Sequence, residues 1–171
     1  MAQYKYAFNK YAENMARAVG RDLPISTKQA IEICSSIRGM ELGKAMAKLE
    51  RVIAYKQAVP YKRFTEGAGH KPGMASGKYP VKACTHILKI LKSVESNSQN
   101  KSLGTVMIKH ICAQGGGKRW HYGRKRRIKM KRSHIEIVVE EIKESPKAKK
   151  PQEKKTAEVK ETKKPAKEEK K

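Results

Sequence analysis

Residues 117–133 constrain this chain more than any other stretch, because they have little to contribute to a hydrophobic core. Nine of these seventeen residues are Lys or Arg and none is acidic, and the single tryptophan, Trp120, lies among them beside His121 and Tyr122. Such a run repels itself and needs a strongly anionic partner. Exposed rings can stack on bases while arginines contact phosphates. Because apolar, β-branched segments flank the run on both sides, the sequence predicts a folded arm that binds RNA.

The charge of the whole chain supports the same interpretation. The chain carries 40 basic and 16 acidic residues, a formal net charge of +24. The last 28 residues contain 11 Lys and 6 Glu, which leaves 29 basic and 10 acidic residues in residues 1–143, a net charge of +19. The predicted folded part is therefore itself a polycation, and only a polyanion relieves its self-repulsion.

Length and composition indicate one domain of ordinary size in a reducing compartment. A chain of 171 residues can bury one modest core. Its three cysteines are widely spaced and odd in number, which argues against a disulfide framework. No apolar run approaches the roughly 20 residues of a membrane span, and the N-terminus lacks a signal-peptide core. We expect a soluble, cytoplasmic protein with no membrane partner.

No group of residues in the sequence indicates catalysis or a bound cofactor. The Gly-Gly-Gly-Lys run at 115–118 differs from a phosphate-binding loop, because Cys112 replaces the first required glycine and Arg119 the required Ser or Thr. The histidines and cysteines form no Cys-x-x-Cys or His-x-x-His pair, so core packing is favoured over zinc binding. Glu136 and Glu140 are expected on an exposed strand face, as partners of nearby Lys and Arg. We predict no enzyme, no metal, no cofactor and no small-molecule substrate.

Three helices are predicted from apolar residues at helical spacing. The first begins at Ser26, which forms a capping box with a glutamine three residues later, and ends at Gly39. The second runs from about 41 to 54. The third begins near Tyr79-Pro80 and fades within 93–100. The apolar stripes are Ala30, Ile33, Cys34 and Ile37, then Leu42, Met46, Leu49 and Ile53, then Val81, Cys84, Leu88 and Leu91.

Two segments are predicted without regular structure. Residues 1–24 are polar, basic and aromatic, and their tyrosines keep no clean period, so we expect an extended basic arm or a short helix around 12–19. Residues 55–78 form a glycine-rich loop whose Val-Pro-Tyr-Lys-Arg-Phe core alternates rings with positive charge. Because a loop of this length is usually functional or disordered, we predict that it faces RNA.

Two antiparallel strands are predicted on either side of the basic run, at 105–113 and 134–142. If they pair up to the tip, each side spans roughly 17 residues, or about 55 Å. A body of this size has a radius of gyration near 13 Å, so the hairpin must project from it. From residue 144 onward the chain is Lys, Glu, Pro, Ala and Thr, a composition typical of disorder.

The residues predicted to contact RNA are cations of the glycine-rich loop and cations and rings of the hairpin tip. Trp120 has two interpretations, stacking on a base or an apolar contact with a neighbouring protein or the arm itself. The predicted RNA-binding residues are Lys56, Lys62, Arg63, Lys71, Lys118, Arg119, Trp120, His121, Tyr122, Arg124, Lys125, Arg126, Arg127, Lys129, Lys131 and Arg132.

Four segments, taken in order and spacing, resemble one known family. They are Ile37-Arg38-Gly39-Met40, Gln57-Ala58-Val59-Pro60-Tyr61-Lys62-Arg63, Glu95-Ser96-Asn97, and Gly123-Arg124 eleven residues before His134-Ile135-Glu136. The family is the universal large-subunit ribosomal protein that lines the peptide exit tunnel, called L-twenty-two in bacteria and L-seventeen-e in eukaryotes. The similarity is to its archaeal and eukaryotic branch and covers roughly residues 4–142.

This resemblance implies an α+β fold, in which three helices pack on a small antiparallel three-stranded sheet that extends into a long protruding β-hairpin. It implies a ribosomal α+β domain over 25–143 with its hairpin at about 105–139, after the basic arm at 1–24. The tail at 144–171, predicted as disordered from its composition, lies outside the resemblance. The resemblance also implies binding to large-subunit ribosomal RNA and neighbouring ribosomal proteins, support of subunit assembly, and a hairpin tip that meets the nascent peptide. The family's tip usually reads Arg-Ala-x-Gly-Arg, whereas this chain has Trp120-His121-Tyr122-Gly123-Arg124.

Two other classes of protein fit the composition less well. An architectural DNA-binding protein shares the charge but needs a groove-reading helix or wedge residues, and none of the predicted helices has an arginine-rich face. An RNA-modifying enzyme needs a catalytic group of residues that the sequence does not contain.

Overall fold

A computed structural model describes residues 4–142 of the 171-residue chain. The strands are β1 (Met15–Leu23), β2 (Val59–Pro60), β3 (Gly69–Lys71), β4 (Ala75–Lys78), β5 (Val106–Gly115) and β6 (Ser133–Glu141), and the helices are α1 (Thr27–Ile37), α2 (Leu42–Ile53) and α3 (Val81–Asn100). Within this range no helix has the length and apolar character needed to cross a lipid bilayer. The tail predicted at 144–171 lies outside the described residues.

The main sheet is antiparallel, with β6 at its centre between β1 and β5. Because side chains alternate along a strand, Ile135, Ile137 and Val139 share one face, and all three are fully buried. Helix α3 packs on β1, α1 packs on β5, and α2 packs on α3, which closes a core made mostly of aliphatic side chains. The predicted α+β fold with three helices on a small antiparallel sheet is confirmed.

The three predicted helices form, with differences at their ends. Gly39 follows α1 with φ of +74°, the left-handed conformation that glycine adopts without strain. Ser26 occupies the N-cap position of α1, but its side chain makes no capping hydrogen bond, so the predicted capping box is wrong. Helix α3 ends at Asn100, at the far end of the predicted range of 93–100, and Val94 and Ser98 are buried on its packed face.

The segment predicted as a glycine-rich loop contains a second sheet, with strand order β2-β4-β3. Val59 and Tyr61 are buried in the body, so the start of this segment is anchored to the core. Strands of two to four residues are too short to show a period of two in the sequence. The prediction of an irregular loop across 55–78 is therefore wrong for these three strands.

The N-terminal region contains a strand where the sequence analysis considered a short helix. Met15–Leu23 forms β1 and pairs with β6, so the helix around 12–19 does not form, and this part of the predicted arm belongs to the main sheet. Its partner residues lie 110 or more positions later in the chain, for example Glu140 opposite Met15. A pairing so distant leaves no local pattern from which it could be predicted.

The second face of the main sheet is covered by the residues that precede β1. The Tyr4 hydroxyl and the Ala7 backbone N–H both donate to the carboxylate of Glu136, the latter at 2.8 Å. Glu136 is 1% exposed, so its predicted place on an exposed face is wrong. It is bonded to these groups and to the Gln114 amide at 3.1 Å rather than to Lys or Arg. Glu140 forms the predicted ion pair, with Lys109 at 2.6 Å.

The hairpin formed by β5 and β6 is partly body and partly projection. The strands remain paired from Val106 opposite Glu141 to Gly115 opposite Ser133, and their inner residues are in the core. Only 116–132 extends beyond the main sheet, about eight residues on each side or roughly 25 Å. The estimate of about 55 Å is too long, because it counted the core halves of both strands as part of the projection.

Candidate RNA-binding surface

The projecting part of the hairpin, residues 116–132 and here called the tip, is held together by backbone hydrogen bonds. Gly116 N–H donates to Arg132 O at 2.9 Å, Met130 N–H to Arg119 O at 2.7 Å, and His121 N–H to Ile128 O at 2.8 Å. The chain reverses in a short 3-10 turn at Gly123–Lys125, where Gly123 has φ of +66°. The basic run is therefore an ordered ribbon that presents its side chains at fixed positions.

Glycine at 116 allows the two sides of the tip to approach closely. A Cβ at this position would lie 3.1 Å from the Cβ of Arg132 and 3.1 Å from Nε2 of His134. Gly115 and Gly117 have open space around the same position. Of the three consecutive glycines, Gly116 is the one at which a larger side chain would press against the facing residues. Its lack of a Cβ lets the two sides of the hairpin lie close together at the base of the tip.

The cations of the tip form no ion pair with a carboxylate in the described residues. Eight of the nine are exposed, and within residues 4–142 none of the nine lies within 4 Å of a carboxylate oxygen of Asp or Glu. Arg132 is the half-buried member, and its guanidinium donates to the backbone oxygen of Asp22 at 2.8 Å, which ties the tip to the end of β1. The exposed members are Lys118, Arg119, Arg124, Lys125, Arg126, Arg127, Lys129 and Lys131.

The rings of the tip lie at its surface. Trp120 is 58% exposed, and Nζ of Lys129 lies 4.7 Å from its ring centroid on the paired strand. The rings of His121 and Tyr122 stack with centroids 4.6 Å apart, and Tyr122 is 80% exposed. Solvent-exposed aromatic rings beside unpaired cations form the kind of surface on which unpaired bases stack. The contact with Lys129 leaves more than half of Trp120 exposed, and both interpretations of Trp120 stay predictions.

The four predicted residues of the glycine-rich loop lie on or beside the second sheet, apart from the tip. Lys56, Lys62 and Arg63 are exposed and Lys71 is half-buried, with its Nζ 5.4 Å from the ring centroid of Tyr79. The predicted residues therefore lie on two basic surfaces, one at the second sheet and one at the tip.

A buried carboxylate that was not predicted from the sequence, Glu32, fixes the backbone of two of these loop cations, Lys62 and Arg63. Glu32 of α1 accepts backbone hydrogen bonds from Lys62 at 3.2 Å, Arg63 at 2.7 Å and Phe64 at 2.8 Å. Burial alone raises the pKa of Glu32, but these three N–H groups and the Arg63 charge outweigh it and hold the pKa below its usual value. The sequence contains no clear signal for this role, because Glu32 follows Lys28 by one helical turn and so resembles an ordinary charged residue on the helix surface.

Metal-binding side chains come together at one place in the described residues, at His110, Cys112 and Glu136, whose donor atoms lie within 4.8 Å of one another. Both oxygens of Glu136 already accept hydrogen bonds, and three donors are fewer than the four of a structural zinc site. Cys34 and Cys84 are buried in the core, as predicted, and burial raises the pKa of each thiol to about 12.

A group of rings outside the predicted site also combines with cations. Tyr6 and Tyr11 lie on either side of the Arg17 guanidinium, whose central carbon is 4.5 Å and 4.4 Å from their ring centroids. The sequence analysis noted these tyrosines but assigned them no contact. Their proximity to Arg17 depends on the pairing of β1 with β6, which local sequence does not reveal.

Comparison with known proteins places this architecture in a family. Residues 18–140 match the family described as Ribosomal protein L22p/L17e. The chain belongs to this family. It is similar to the large ribosomal subunit protein uL22 of Ignicoccus hospitalis, at 42% identity over 146 residues that cover 78% of this chain and 92% of that protein. For uL22 of Methanocaldococcus jannaschii the identity is 41% over 151 residues, with coverages of 82% and 97%. These relatives confirm the resemblance to the archaeal branch.

The match to the L22p/L17e family begins within β1, at residue 18, and ends at residue 140 of β6, so it includes the three helices and the tip. Every predicted RNA-binding residue falls between 56 and 132, inside the matched range of 18–140. Tyr6 and Tyr11 precede that range, whereas Arg17 lies directly before it. The two basic surfaces are thus on the part of the chain that defines the family, and the N-terminal rings are at its border.

Proposed function

We propose that this member of the L22p/L17e family is a structural, RNA-binding protein of the large ribosomal subunit in the cytoplasm. Relatives at 41–42% identity carry the name large ribosomal subunit protein uL22. The observation that carries the proposal is the tip at 116–132, with nine cations and no carboxylate within ion-pair distance in the described residues.

The electrostatics of the tip support ribosomal RNA as the partner. Exposed cations at this density repel one another, and phosphates relieve that repulsion while releasing counterions. Each phosphate neutralised adds about −0.7 to −0.9 to the slope of log affinity against log salt concentration. The proposed roles follow from chemistry, with Lys and Arg of the tip on phosphates and Trp120 and Tyr122 on unpaired bases.

The loop surface provides a second RNA contact in this proposal. Lys62 and Arg63 are exposed while their backbone is fixed by Glu32, so their charges reach RNA from an anchored position. Lys56 and Lys71 extend the same basic surface. Two separated contacts on one rigid body fix its orientation on RNA and so support assembly of the subunit.

The remaining parts of the proposal concern other partners. Neighbouring large-subunit proteins contact surfaces of the body that RNA leaves free. The end of the tip, at the turn Gly123–Lys125, lines the tunnel through which the nascent peptide passes. A photoreactive residue at Tyr122 in assembled ribosomes is expected to cross-link to a stalled nascent chain, and exclusive cross-linking to RNA would contradict the tunnel assignment.

The test of RNA binding compares two double variants that remove equal charge. Arg126→Gln with Arg127→Gln alters the tip, and Lys89→Gln with Lys92→Gln alters exposed residues of α3 outside both predicted surfaces. Affinity for large-subunit ribosomal RNA is measured across a salt series with duplex DNA as competitor. In the tip variant, the slope of log affinity against log salt concentration should become less steep by about 1.4 to 1.8, the contribution of two phosphates.

The control and a truncated tip complete this experiment. The α3 variant should change the slope little, and equal effects of the two variants would reduce the binding to non-specific attraction by a polycation. Replacing 116–132 with Asn-Gly joins Gly115 to Ser133, which already face each other in the ladder. This shortened chain should keep its helical circular dichroism and lose most of its salt-dependent affinity. Unchanged affinity, or preference for the DNA competitor, would refute the proposal.

A further inference from the structure

An open cleft lies between the residues that precede β1 and Arg17, near the start of that strand. Its volume is about 440 Å³, within the range of roughly 300–1,000 Å³ that is typical of ligand sites. Its walls are four aromatic rings, two cations and one amide, and among the described residues none of its lining side chains is acidic. The lining residues are Tyr4, Lys5, Tyr6, Phe8, Asn9, Tyr11 and Arg17.

Two of the four rings of the cleft, those of Tyr4 and Tyr11, are held in place by hydrogen bonds to the body. The Tyr4 hydroxyl donates to buried Glu136. Burial and this carboxylate raise the pKa of Tyr4 to about 12, so the hydroxyl keeps its proton. The Tyr11 hydroxyl donates to the backbone oxygen of Met15 at 2.8 Å and accepts from Nζ of Lys101 at 2.9 Å. Rings fixed in this way lose little side-chain entropy when a ligand binds.

Cations accompany the rings at short distances. Arg17 lies between Tyr6 and Tyr11, with its guanidinium carbon 4.5 Å and 4.4 Å from the two centroids. Nζ of Lys101 lies 4.9 Å from the Tyr11 ring, and Lys5 is exposed at the edge of the cleft. The guanidinium is a planar surface for stacking as well as a phosphate contact, and Asn9 offers a donor and an acceptor to a base edge.

We propose that this cleft binds one unpaired nucleotide of RNA, with the base stacked on the ring of Tyr6 and the phosphate held by Arg17 and Lys5. This inference rests on the proposed function and adds a third RNA contact to it, on the sheet face opposite the helices. The chemistry favours a nucleotide over an acidic peptide, because ring faces dominate the walls and stacking is what a base offers and a carboxylate lacks. The bases of duplex RNA stay paired, so duplex RNA can offer phosphates to the cleft but no base to stack on Tyr6.

The test uses the full chain and a short single-stranded RNA with one central 4-thiouridine, cross-linked by light and mapped on the protein by mass spectrometry. We expect cross-links in residues 4–11 besides those at the tip, and none in 4–11 when the same RNA is annealed to its complement. Tyr6→Leu should lower the cross-link yield at 4–11, under limiting RNA, by roughly 5- to 150-fold, the range for loss of one stacked base. Tyr6→Phe keeps the ring and should retain the cross-link.

Each outcome separates this inference from the broader proposal. Cross-links at the tip with none in 4–11 overturn the cleft and leave the proposed function standing. Equal cross-linking of single-stranded and duplex RNA in 4–11 overturns base stacking, as does a Tyr6→Leu variant with unchanged yield. No cross-link anywhere overturns both. Circular dichroism and tip cross-links of Tyr6→Leu serve as the folding control, because Tyr6 makes no side-chain hydrogen bond in the described residues.

Discussion

Replacement of Glu32 tests how the loop surface is held, and the structure sets the expected cost. Its Oε1 accepts from the N–H groups of Arg63 and Phe64, at 2.7 and 2.8 Å, and its Oε2 accepts from Lys62 at 3.2 Å. The side chain is 2% exposed, so water does not replace these bonds while the loop stays in place. Three hydrogen bonds to one charged acceptor are worth about 1.5–3 kcal/mol each at most.

The full sum overstates the loss, because Lys62 and Arg63 are exposed residues and their N–H groups regain water once the loop shifts. We therefore expect Glu32→Ala to lower the free energy of unfolding by about 2–4 kcal/mol. Glu32→Gln keeps one oxygen toward Arg63 and Phe64 but turns an NH2 group toward the N–H of Lys62. It should cost about 1–2 kcal/mol, because the longest bond and the charge are lost.

Urea denaturation of the full chain measures these differences, with Glu66→Gln as the matched control. Glu66 is an exposed carboxylate of the same segment, and its replacement should change stability by less than about 0.5 kcal/mol. Amide hydrogen exchange at Arg63 and Phe64 should also accelerate in Glu32→Ala. A cost for Glu32→Ala no larger than that of Glu66→Gln would refute the anchoring role.

The pH dependence of the stability difference between the wild type and Glu32→Gln gives an independent check. The pKa of Glu32 lies below its usual value in the folded protein. Its stabilisation is therefore complete above the unfolded pKa of about 4.3 and is lost as the pH falls through the lower folded pKa. The stability difference between the wild type and Glu32→Gln should shrink below about pH 4. A difference that stays constant down to that region would contradict the assignment.

Three further predictions concern other parts of the fold. The Tyr61 hydroxyl is buried without a partner in the described residues, so Tyr61→Phe should leave stability unchanged or raise it by about 1 kcal/mol in urea denaturation, and a clear loss would contradict this. Gly116→Ala places a Cβ 3.1 Å from two atoms of the facing strand and should lower the melting temperature, whereas Gly117→Ala, with open space around it, should not. Cys34 and Cys84 have pKa values raised to about 12 by burial, so neither should react with iodoacetamide at pH 8 until the protein is denatured, as followed by mass spectrometry.

The helices could be predicted because their determinants are local. Apolar residues at helical spacing give α1 and α2 nearly to the residue, and Gly39 ends α1 in the left-handed conformation that its position requires. The end of α3 could be predicted only as a range, because Ser93 to Asn100 have weak helix propensity. Burial of Val94 against the core outweighs that propensity, a contact that local sequence does not show.

The N-terminal strand and the role of Glu136 could not be predicted for a related reason. A strand pattern indicates which residues share a face, but not what covers that face. Residues 4–8 cover the second face of the main sheet and turn Glu136 from an expected surface carboxylate into a buried acceptor for Tyr4 and Ala7. The cleft beside Tyr6 is formed by the same covering segment, so it could not be predicted from the sequence either.

The sequence by itself determined that this chain has a polycationic body, three helices and a basic ribbon with exposed rings, because charge density and helical period are local properties. Tertiary structure alone decided that half of each long strand lies in the core, so that 116–132 is the part that projects. It also decided that Tyr6, Tyr11 and Arg17 meet. The meeting of these three side chains depends on the pairing of β1 with β6, segments about 120 residues apart, and the free energy of that pairing comes from a core that no local window of sequence contains.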